Sequence, residues 1–244
     1  MPVVGQTVPQ LTSDGQPVST DCGGFPPTMA RRVDAPRARF VGESSGSRGR
    51  FAEHSPVVES SNLAPGLLLA MPQLADPNFS RSVVLMVEHG DKGSFGLVVN
   101  HPSSIRATEL LDSLEMSWRG DETAVVWAGG PVSPSTGWVL HEPVGLAEAG
   151  VGGTIEITSR ISLSTSPDRL RAIASQPPRN IRLLLGYSGW GPGQLATEMS
   201  RGAWLHTSAD PVLVFDTPAD LMWDRAMRSL GVDPRDLFTG RGVN

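Results

Sequence analysis

Residues 181–187 read Ile-Arg-Leu-Leu-Leu-Gly-Tyr, and this apolar run continues into the glycine-rich segment Ser-Gly-Trp-Gly-Pro-Gly-Gln at 188–194. A strand with one face in water alternates apolar and polar residues, whereas a strand covered on both faces is apolar throughout. The three consecutive leucines therefore predict a strand that is buried on both faces and lies at the centre of a sheet. The segment after it predicts a turn that leads into a helix beginning near Gln194.

Outward from this strand, apolar patterning and turn residues predict a mixed chain of strands and helices without internal repeats. Eight further strands are predicted, at 67–71, 82–88, 95–100, 124–128, 138–141, 154–159, 203–207 and 212–215. Helices are predicted at 108–114, after Ser166 and Pro167, at 194–201, and from a capping box at Thr217 to a stop at Gly231. The strands on either side of the turn at 90–93 predict a β-hairpin, which we expect the helix at 108–114 to cover.

The composition changes near residue 63. Of the first 62 residues, 26 are Gly, Pro, Ser or Thr, and the apolar residues among them show neither helical nor strand periodicity. Such a segment buries too little surface to offset a chain entropy of about 1 to 2 kcal/mol per residue. We therefore predict a disordered extension at 1–62 and one folded domain at 63–244.

Charge and cysteine content exclude several classes of function. The chain has 20 basic and 25 acidic residues, a net charge of -5, and Lys92 as its only lysine, which disfavours direct nucleic-acid binding. The single cysteine, Cys22, can form neither an internal disulfide nor a thiolate zinc site. No run of apolar residues is long enough to predict a membrane helix. We expect a cytoplasmic protein with no cofactor and no membrane association.

Motifs for nucleophilic catalysis are weak in this sequence. One Gly-x-Ser-x-Gly pattern occurs at 42–46, inside the predicted extension, where the strand and helix of a nucleophile elbow are not predicted. The turn at 186–190 carries Trp190 in place of the last glycine of that pattern. The loop from Gly189 to Gly193 has two interpretations, an anion or ligand loop at a helix N-terminus or a tight turn, and we favour the tight turn.

Histidines are the remaining candidates for chemistry. A metal site assembled from His89, His141 and carboxylates such as Glu88, Asp76 or Glu142 is conceivable, but no ligand spacing supports it. The alternative is that His89 caps the hairpin turn and that His141 bonds to backbone at a strand end. We favour the alternative and predict no metal ligand.

We predict one surface for a partner or ligand around the end of the central strand. Tyr187, the only tyrosine, and Trp190 flank the turn that leaves this strand, so at least one ring is expected near the surface. Polar groups from neighbouring strand ends and from the next helix are expected to converge there. The predicted surface comprises Asn100, Gly129, Gly130, His141, Tyr187, Trp190, Gln194 and Glu198.

Several segments, in this order along the chain, resemble motifs of the AlgH/YqgE family. They are Ala-Met-Pro at 70–72, Asp-Pro-Asn-Phe at 76–79, Glu-His at 88–89, Gly-Leu-Val-Val-Asn at 96–100, Gly-Gly-Pro-Val at 129–132, Val-Leu-His at 139–141 and the segment 186–194. The resemblance implies an α/β (α+β) fold with a bifurcated mixed sheet, part of it a small barrel, surrounded by helices. The family carries a transcriptional-regulator label, and the resemblance implies no catalytic residues.

Two classes of function are consistent with these observations. The first, which we favour, is an interaction module that acts on regulation indirectly, through a protein partner or small ligand. The second is a small-ligand-binding protein or an enzyme that uses the loop from Gly189 to Gly193 and polar residues at strand ends. Because the sequence shows no nucleophile with an adjacent base, an enzyme is the less favoured of the two.

Overall fold

The computed structural model of the chain describes residues 63–74, 76–144 and 153–238. The predicted extension at 1–62, with its Gly-x-Ser-x-Gly pattern, lies outside the described residues. Within the described ranges, no helix is long and apolar enough to cross a membrane.

The described residues form ten strands and five α-helices. The strands are β1 Gly66–Ala70, β2 Val83–Gly90, β3 Gly93–Val98, β4 Pro102–Arg106, β5 Val125–Ala128, β6 Val132–His141, β7 Thr154–Thr158, β8 Ile161–Ser164, β9 Ile181–Trp190 and β10 Trp204–Ser208. The helices are α1 Ala107–Ser113, α2 Pro167–Ser175, α3 Gln194–Ser200, α4 Ala219–Ser229 and α5 Pro234–Phe238. Single turns of 3₁₀ and π helix occur at Pro77–Phe79 and Val212–Asp216.

Strand β9 belongs to two sheets. Its first part lies between β5, which is parallel to it, and β6, which is antiparallel. Its last residues pair instead with β3, where Gly96 lies opposite Ser188 and Ser94 opposite Trp190. One sheet therefore has the order β10-β1-β2-β3-β9, and the other contains β4, β5, β9, β6, β8 and β7. The predictions of a central strand and of a hairpin formed by β2 and β3 are confirmed.

The two sheets separate at Gly186. Its φ is +74°, and a Cβ atom there would lie 2.4 Å from the carbonyl oxygen of Gly130. Gly129 joins both sheets through its backbone, because its N–H donates to the Leu185 carbonyl (2.7 Å) and its own carbonyl accepts from the Val98 N–H (2.8 Å). A side chain at Gly186 would force these backbones apart. The result is a bifurcated α+β fold with a mixed sheet that curls into a half-barrel flanked by helices, as the resemblance implied.

Three apolar clusters cover the faces of the two sheets. Strand β1 shows the division, because all five of its residues are buried. Leu67 and Leu69 belong to the cluster that also contains residues of α4, whereas Leu68 and Ala70 belong to a second cluster with α3. Successive strand residues point to opposite faces, so each face of β1 is covered by a different helix. The third cluster packs α1 and α2 against β5, β6 and β9.

The position predicted for helix α1 is wrong. The helix does not cover the β2–β3 hairpin, because its Leu111 packs in the cluster that contains Val139 of β6 and Leu183 of β9. The sequence pattern did not predict β4, which pairs with β5 directly before α1 begins. This pairing carries the chain to the second sheet before the helix starts.

Residues 212–215, predicted as a strand, form a helical turn. Pro211 already has right-handed helical dihedral angles, and the Asp210 carboxylate accepts a hydrogen bond from the Val212 N–H (2.8 Å). The predicted capping box at Thr217 is also wrong, because its hydroxyl donates to the Val212 carbonyl (3.0 Å) and no side chain caps α4. Gly231 does follow the end of α4, with a φ of +76°.

Replacing Gly186 by Ala is expected to lower the free energy of unfolding by about 3 kcal/mol or more, because backbone strain adds to the collision with Gly130. Gly193→Ala is the matched control, since Gly193 has a φ of +70° but open space where its Cβ would lie. The control is expected to cost only about 1 kcal/mol. Urea unfolding followed by tryptophan fluorescence measures both, and equal losses would contradict the close approach of backbones at Gly186.

Candidate functional site

A cavity of about 670 Å³ lies where β9 passes from one sheet to the other. We call it the aromatic pocket, and its lining includes Glu88, Lys92, Phe95, Val132, Trp138 and Tyr187. The ring centroids of Phe95 and Trp138 are 4.9 Å apart, and Tyr187 lies 5.3 Å from Phe95 and 6.1 Å from Trp138. The three rings come from β3, β6 and β9, so the split between the sheets brings them together.

Trp138 is buried in the wall of the aromatic pocket, with 4 % of its surface exposed. Within the described residues, its indole N–H donates to no acceptor. A buried donor without a partner costs about 1 to 3 kcal/mol.

Trp190, at the end of β9, belongs to the apolar cluster with α3, and only 5 % of it is exposed. Its indole N–H donates to Oε2 of Glu198 (3.0 Å), and the indole N–H of Trp204 donates to the same oxygen (2.8 Å). The side chain of Gln194 donates to the other oxygen, Oε1 (2.9 Å). Glu198 therefore accepts three hydrogen bonds and holds α3 against two strands.

The glycine-rich loop before α3 is closed by hydrogen bonds between its own residues and the first residue of the helix. The N–H of Gly191 donates to Oε1 of Gln194 (3.1 Å), and the N–H of Gln194 donates to the Gly191 carbonyl (3.1 Å). Gly193 has a left-handed φ of +70°, which glycine adopts without strain. This geometry supports a tight turn, the interpretation that the sequence favoured.

His141 lies at the other end of β9, where it is paired with Ile181. Its Nδ1 is 2.6 Å from the Glu142 carbonyl oxygen, and its Nε2 is 2.9 Å from Oγ of Ser164. Burial lowers the pKa of His141, and the positive charge of Arg169 lowers it further, while the hydrogen bond to the Glu142 carbonyl and the negative charge of Glu142 oppose this. The imidazole is therefore neutral at pH 7. The predicted bond from His141 to backbone at a strand end is confirmed.

The Nδ1 of His89 lies 2.8 Å from Oγ of Ser94 across the hairpin, so this bond joins the two strands beside the turn, and the capping of the turn by His89 stays a prediction. His89 and His141 therefore bond to different strands and do not meet. Over the ranges that the structure describes, no group of three or more His, Cys, Asp or Glu side chains could hold a metal ion.

Asn100 follows β3 and is buried against the start of β2. Its Oδ1 accepts from the Val83 N–H (2.8 Å), and its Nδ2 donates to the Arg81 carbonyl (2.9 Å). The side-chain amide thus accepts one hydrogen bond from the backbone and donates one to it, as the backbone of a neighbouring strand would do. This is a structural role at the edge of the β2–β3 pairing.

Comparison with known proteins places this arrangement in a family. A family model described as AlgH-like matches residues 67–235. The chain belongs to the AlgH-like family. The UPF0301 protein of Myxococcus xanthus is 43 % identical over 184 residues, which cover 75 % of this chain and 99 % of that protein. The UPF0301 protein of Nitrosospira multiformis is 41 % identical over 179 residues, covering 72 % of this chain and 94 % of that one.

Solved structures agree with this family. The solution structure of the AlgH protein from Pseudomonas aeruginosa has a TM-score of 0.60 and 37 % sequence identity, covering 80 % of this chain and 100 % of that one. A crystal structure of a Corynebacterium diphtheriae protein has a TM-score of 0.54 at 23 % identity, covering 71 % and 88 %, and supports the fold alone. The family inferred from the sequence motifs is confirmed, and the names of these relatives state no biochemical activity.

In this AlgH-like protein, the predicted surface is divided among separate places. Gly129 and Gly130 do lie against β9 next to Tyr187. Trp190 lines the aromatic pocket together with Tyr187 and also donates to Glu198, which Gln194 contacts as well. Asn100 bonds to the start of β2 instead. His141 is paired with Ile181, six residues before Tyr187, which corresponds to about 20 Å of extended strand. The structure therefore brings neither His141 nor Asn100 to the ring of Tyr187.

Two buried polar residues were missed from the sequence of this AlgH-like chain. Ser164 ends β8, a strand that was not predicted. Arg182 is buried in β9, where its guanidinium donates to the Val99 carbonyl and lies 3.8 Å from the centre of the Trp127 ring. Burial lowers the pKa of Arg182 to about 10, so it remains charged at pH 7. A charged residue inside an otherwise apolar strand was the signal that could have identified Arg182.

Trp190→Ala is expected to lower the free energy of unfolding by about 3 to 5 kcal/mol, because it empties a packed site and leaves Glu198 without one of its donors. Leu221→Ala is the control, since Leu221 is 53 % exposed on α4 and its loss is expected to change stability by less than about 0.5 kcal/mol. Chemical unfolding of both variants measures the difference. A loss below 1 kcal/mol for Trp190→Ala would argue against a structural role.

Stability is expected to fall as the pH decreases from 7.5 to 5.5. Burial lowers the pKa of His101, His141 and His206. Below the ordinary histidine pKa of about 6.5, the unfolded chain therefore binds protons that the folded chain does not, which favours unfolding. Urea unfolding midpoints across this range measure how steeply stability changes with pH. The His141→Gln variant is expected to show a weaker dependence of stability on pH. An unchanged dependence would contradict the contribution of His141.

Proposed function

We propose that the protein is an interaction module that binds an apolar or aromatic group of a partner protein in the aromatic pocket. The observation that supports this proposal is the set of four aromatic residues around one cavity of about 670 Å³, namely Phe95, Trp138, Tyr187 and Trp190. Aromatic side chains in well-packed pockets supply much of the binding energy at protein interfaces. Tyr187, one of the predicted surface residues, is part of this lining.

The polar groups of the pocket add specificity to this apolar contact. Glu88 on β2 and Lys92 in the hairpin turn are exposed, so the occupant meets one charge of each sign beside the rings. A few polar groups within a mainly aromatic lining are typical of sites that orient what they bind.

Under this proposal, any effect on transcription is indirect and passes through the partner, in the cytoplasm. A net charge of -5 and a single lysine leave little to neutralise the phosphates of a duplex. Within the loop from Gly189 to Gly193, Gly189 and Trp190 line the aromatic pocket, whereas Gly191 and Gln194 use their N–H groups within the turn.

A free small ligand of the same apolar or aromatic chemistry is the second candidate for the pocket. The volume of about 670 Å³ favours it, since small-molecule sites measure about 300 to 1,000 Å³. The partner protein and the free ligand would occupy the same pocket. In the first case the bound group is a side chain of a protein, and in the second it belongs to a small molecule.

A screen of aromatic fragments by melting shift tests the pocket. Ligands of the pocket are expected to raise the melting temperature of the wild type and of Leu221→Ala, but not of Tyr187→Ala, which lacks one ring. They are also expected to shield Lys92, the only lysine, from an amine-reactive acylating reagent in the wild type. Fragments that bind Tyr187→Ala equally well and leave Lys92 reactive would contradict this site.

A photo-crosslinker attached through Lys92 tests the partner. Because the chain has one lysine, an amine-reactive crosslinker labels this position and the α-amino group alone, and Lys92→Arg is the matched control. The proposal predicts one partner protein crosslinked to the wild type in its native cells and absent from the control. Crosslinks that persist in Lys92→Arg would place the contact elsewhere on the chain.

A further inference from the structure

A polar face of the second sheet, buried except for Thr154 at its edge, lies at the end of β9 away from the aromatic pocket. His141 of β6 lies opposite Ser162 of β8, and Ser164 of β8 lies opposite Thr154 of β7. Residues two apart on a strand point to the same face, so these side chains share one face of the three strands. With Arg169 of α2 they line a second cavity, of about 380 Å³.

The polarity of this face is confined to the cavity. His141 and Ser164 are each 1 % exposed. The residues beside them in the chain, Leu140 and Leu163, face the opposite side of the sheet and belong to the apolar cluster with α4. Burying polar side chains costs free energy unless they are hydrogen-bonded, so stability alone would favour apolar residues on this face as well. The polar face is therefore a candidate for chemistry.

The hydrogen bonds of this face have a fixed direction. The Glu142 carbonyl can only accept, so the Nδ1 of His141, 2.6 Å away, carries the proton. The Nε2 of the neutral ring then accepts from the Ser164 hydroxyl, 2.9 Å away. Because the proton of Ser164 is used in this bond, the Thr154 hydroxyl, also 2.9 Å away, donates to the Ser164 oxygen. A hydroxyl that donates to a base, and a base oriented by a third group, is the arrangement of an activated nucleophile.

We propose that Ser164 is a nucleophile activated by His141, and that this cavity cleaves esters of small acyl groups. Oγ of Ser164 forms a bond to the acyl carbon while its proton passes to Nε2 of His141. The bond from the acyl carbon to the alkoxide oxygen then breaks, and the leaving alkoxide takes the proton from His141. Water attacks the acyl-serine and gives a proton to His141, which returns it to Ser164 as the carboxylic acid leaves.

Two neighbouring groups support this reaction. Arg169 lines the same cavity and supplies a positive charge to the space in which the tetrahedral intermediate forms. Burial is the main cause of the lowered pKa of His141; the Arg169 charge lowers it further, and the Glu142 charge opposes this. The Glu142 carbonyl holds the ring where hydrolases with a catalytic triad use a carboxylate. A carbonyl stabilises the imidazolium less than a carboxylate does. The expected substrates are therefore esters whose leaving groups are weakly basic.

Covalent labelling tests the nucleophile directly. The full-length wild type is treated with a small alkyl fluorophosphonate, and tandem mass spectrometry locates the adduct. The proposal predicts modification at Ser164. Ser113→Ala is the control, because Ser113 lies on α1, outside this cavity, where its hydroxyl donates to the Leu110 carbonyl, and the labelling rate of Ser164 in this variant is expected to stay within about twofold of the wild type. His141→Gln is expected to slow labelling about 100-fold or more, through loss of the base.

The pH dependence of labelling separates a base-activated serine from ordinary hydroxide chemistry. Because burial lowers the pKa of His141, the rate is expected to stay level from pH 8 down to about 6.5 and to fall below it as the ring binds a proton. Hydrolysis of p-nitrophenyl acetate is expected to follow the same profile and to be lost in Ser164→Ala. An unlabelled Ser164, or a rate that rises tenfold per pH unit throughout, would overturn the proposal. Neither result bears on the aromatic pocket, which is a separate cavity.

Discussion

The close approach of backbone segments at Gly129, Gly130 and Gly186 is the constraint on which the fold depends. The N–H of Gly129 bonds to β9 and its carbonyl bonds to the chain after β3, so one residue without a side chain joins the two sheets. Gly186 must be free of a Cβ atom and adopt a positive φ for β9 to turn from one sheet into the other. The split of β9 between the two sheets follows from this crossing.

Both cavities discussed above are consequences of this path of β9. At the crossing, the rings of Phe95, Trp138 and Tyr187 come from three strands that would not otherwise be neighbours, and the aromatic pocket opens between them. At the start of β9, the strand pairs with the end of β6, which positions His141 over β8. A single long strand thus holds two chemically different cavities apart, one aromatic and one polar.

The buried indole N–H groups of this AlgH-like chain differ in whether they have a hydrogen-bond acceptor. The N–H groups of Trp190 and Trp204 share one oxygen of Glu198, so that network is complete. The N–H of Trp138 has no acceptor among the described residues. Satisfied buried groups hold a structure together, whereas an unsatisfied one costs about 1 to 3 kcal/mol.

Local features of the structure could be read from the sequence, because they depend on residues close together in the chain. The leucines at 183–185 indicated the central strand, and the Ser166 hydroxyl accepts from the Arg169 N–H (3.2 Å) at the predicted start of α2. The order of motifs also indicated the family. The segment at 212–215 was misread because its apolar residues suit a strand, whereas Asp210 and Pro211 begin a helical turn before them.

The tertiary structure alone decided which side chains meet. His141 and Tyr187 both lie at the ends of strands, but only strand pairing shows that they stand at opposite ends of β9. The contact between His141 and Ser164 depends on the register between β6 and β8, and the ring contacts depend on where β9 crosses between sheets. Apolar periodicity identifies a strand and its buried face, whereas pairing and register arise from hydrogen bonds between segments far apart in the chain.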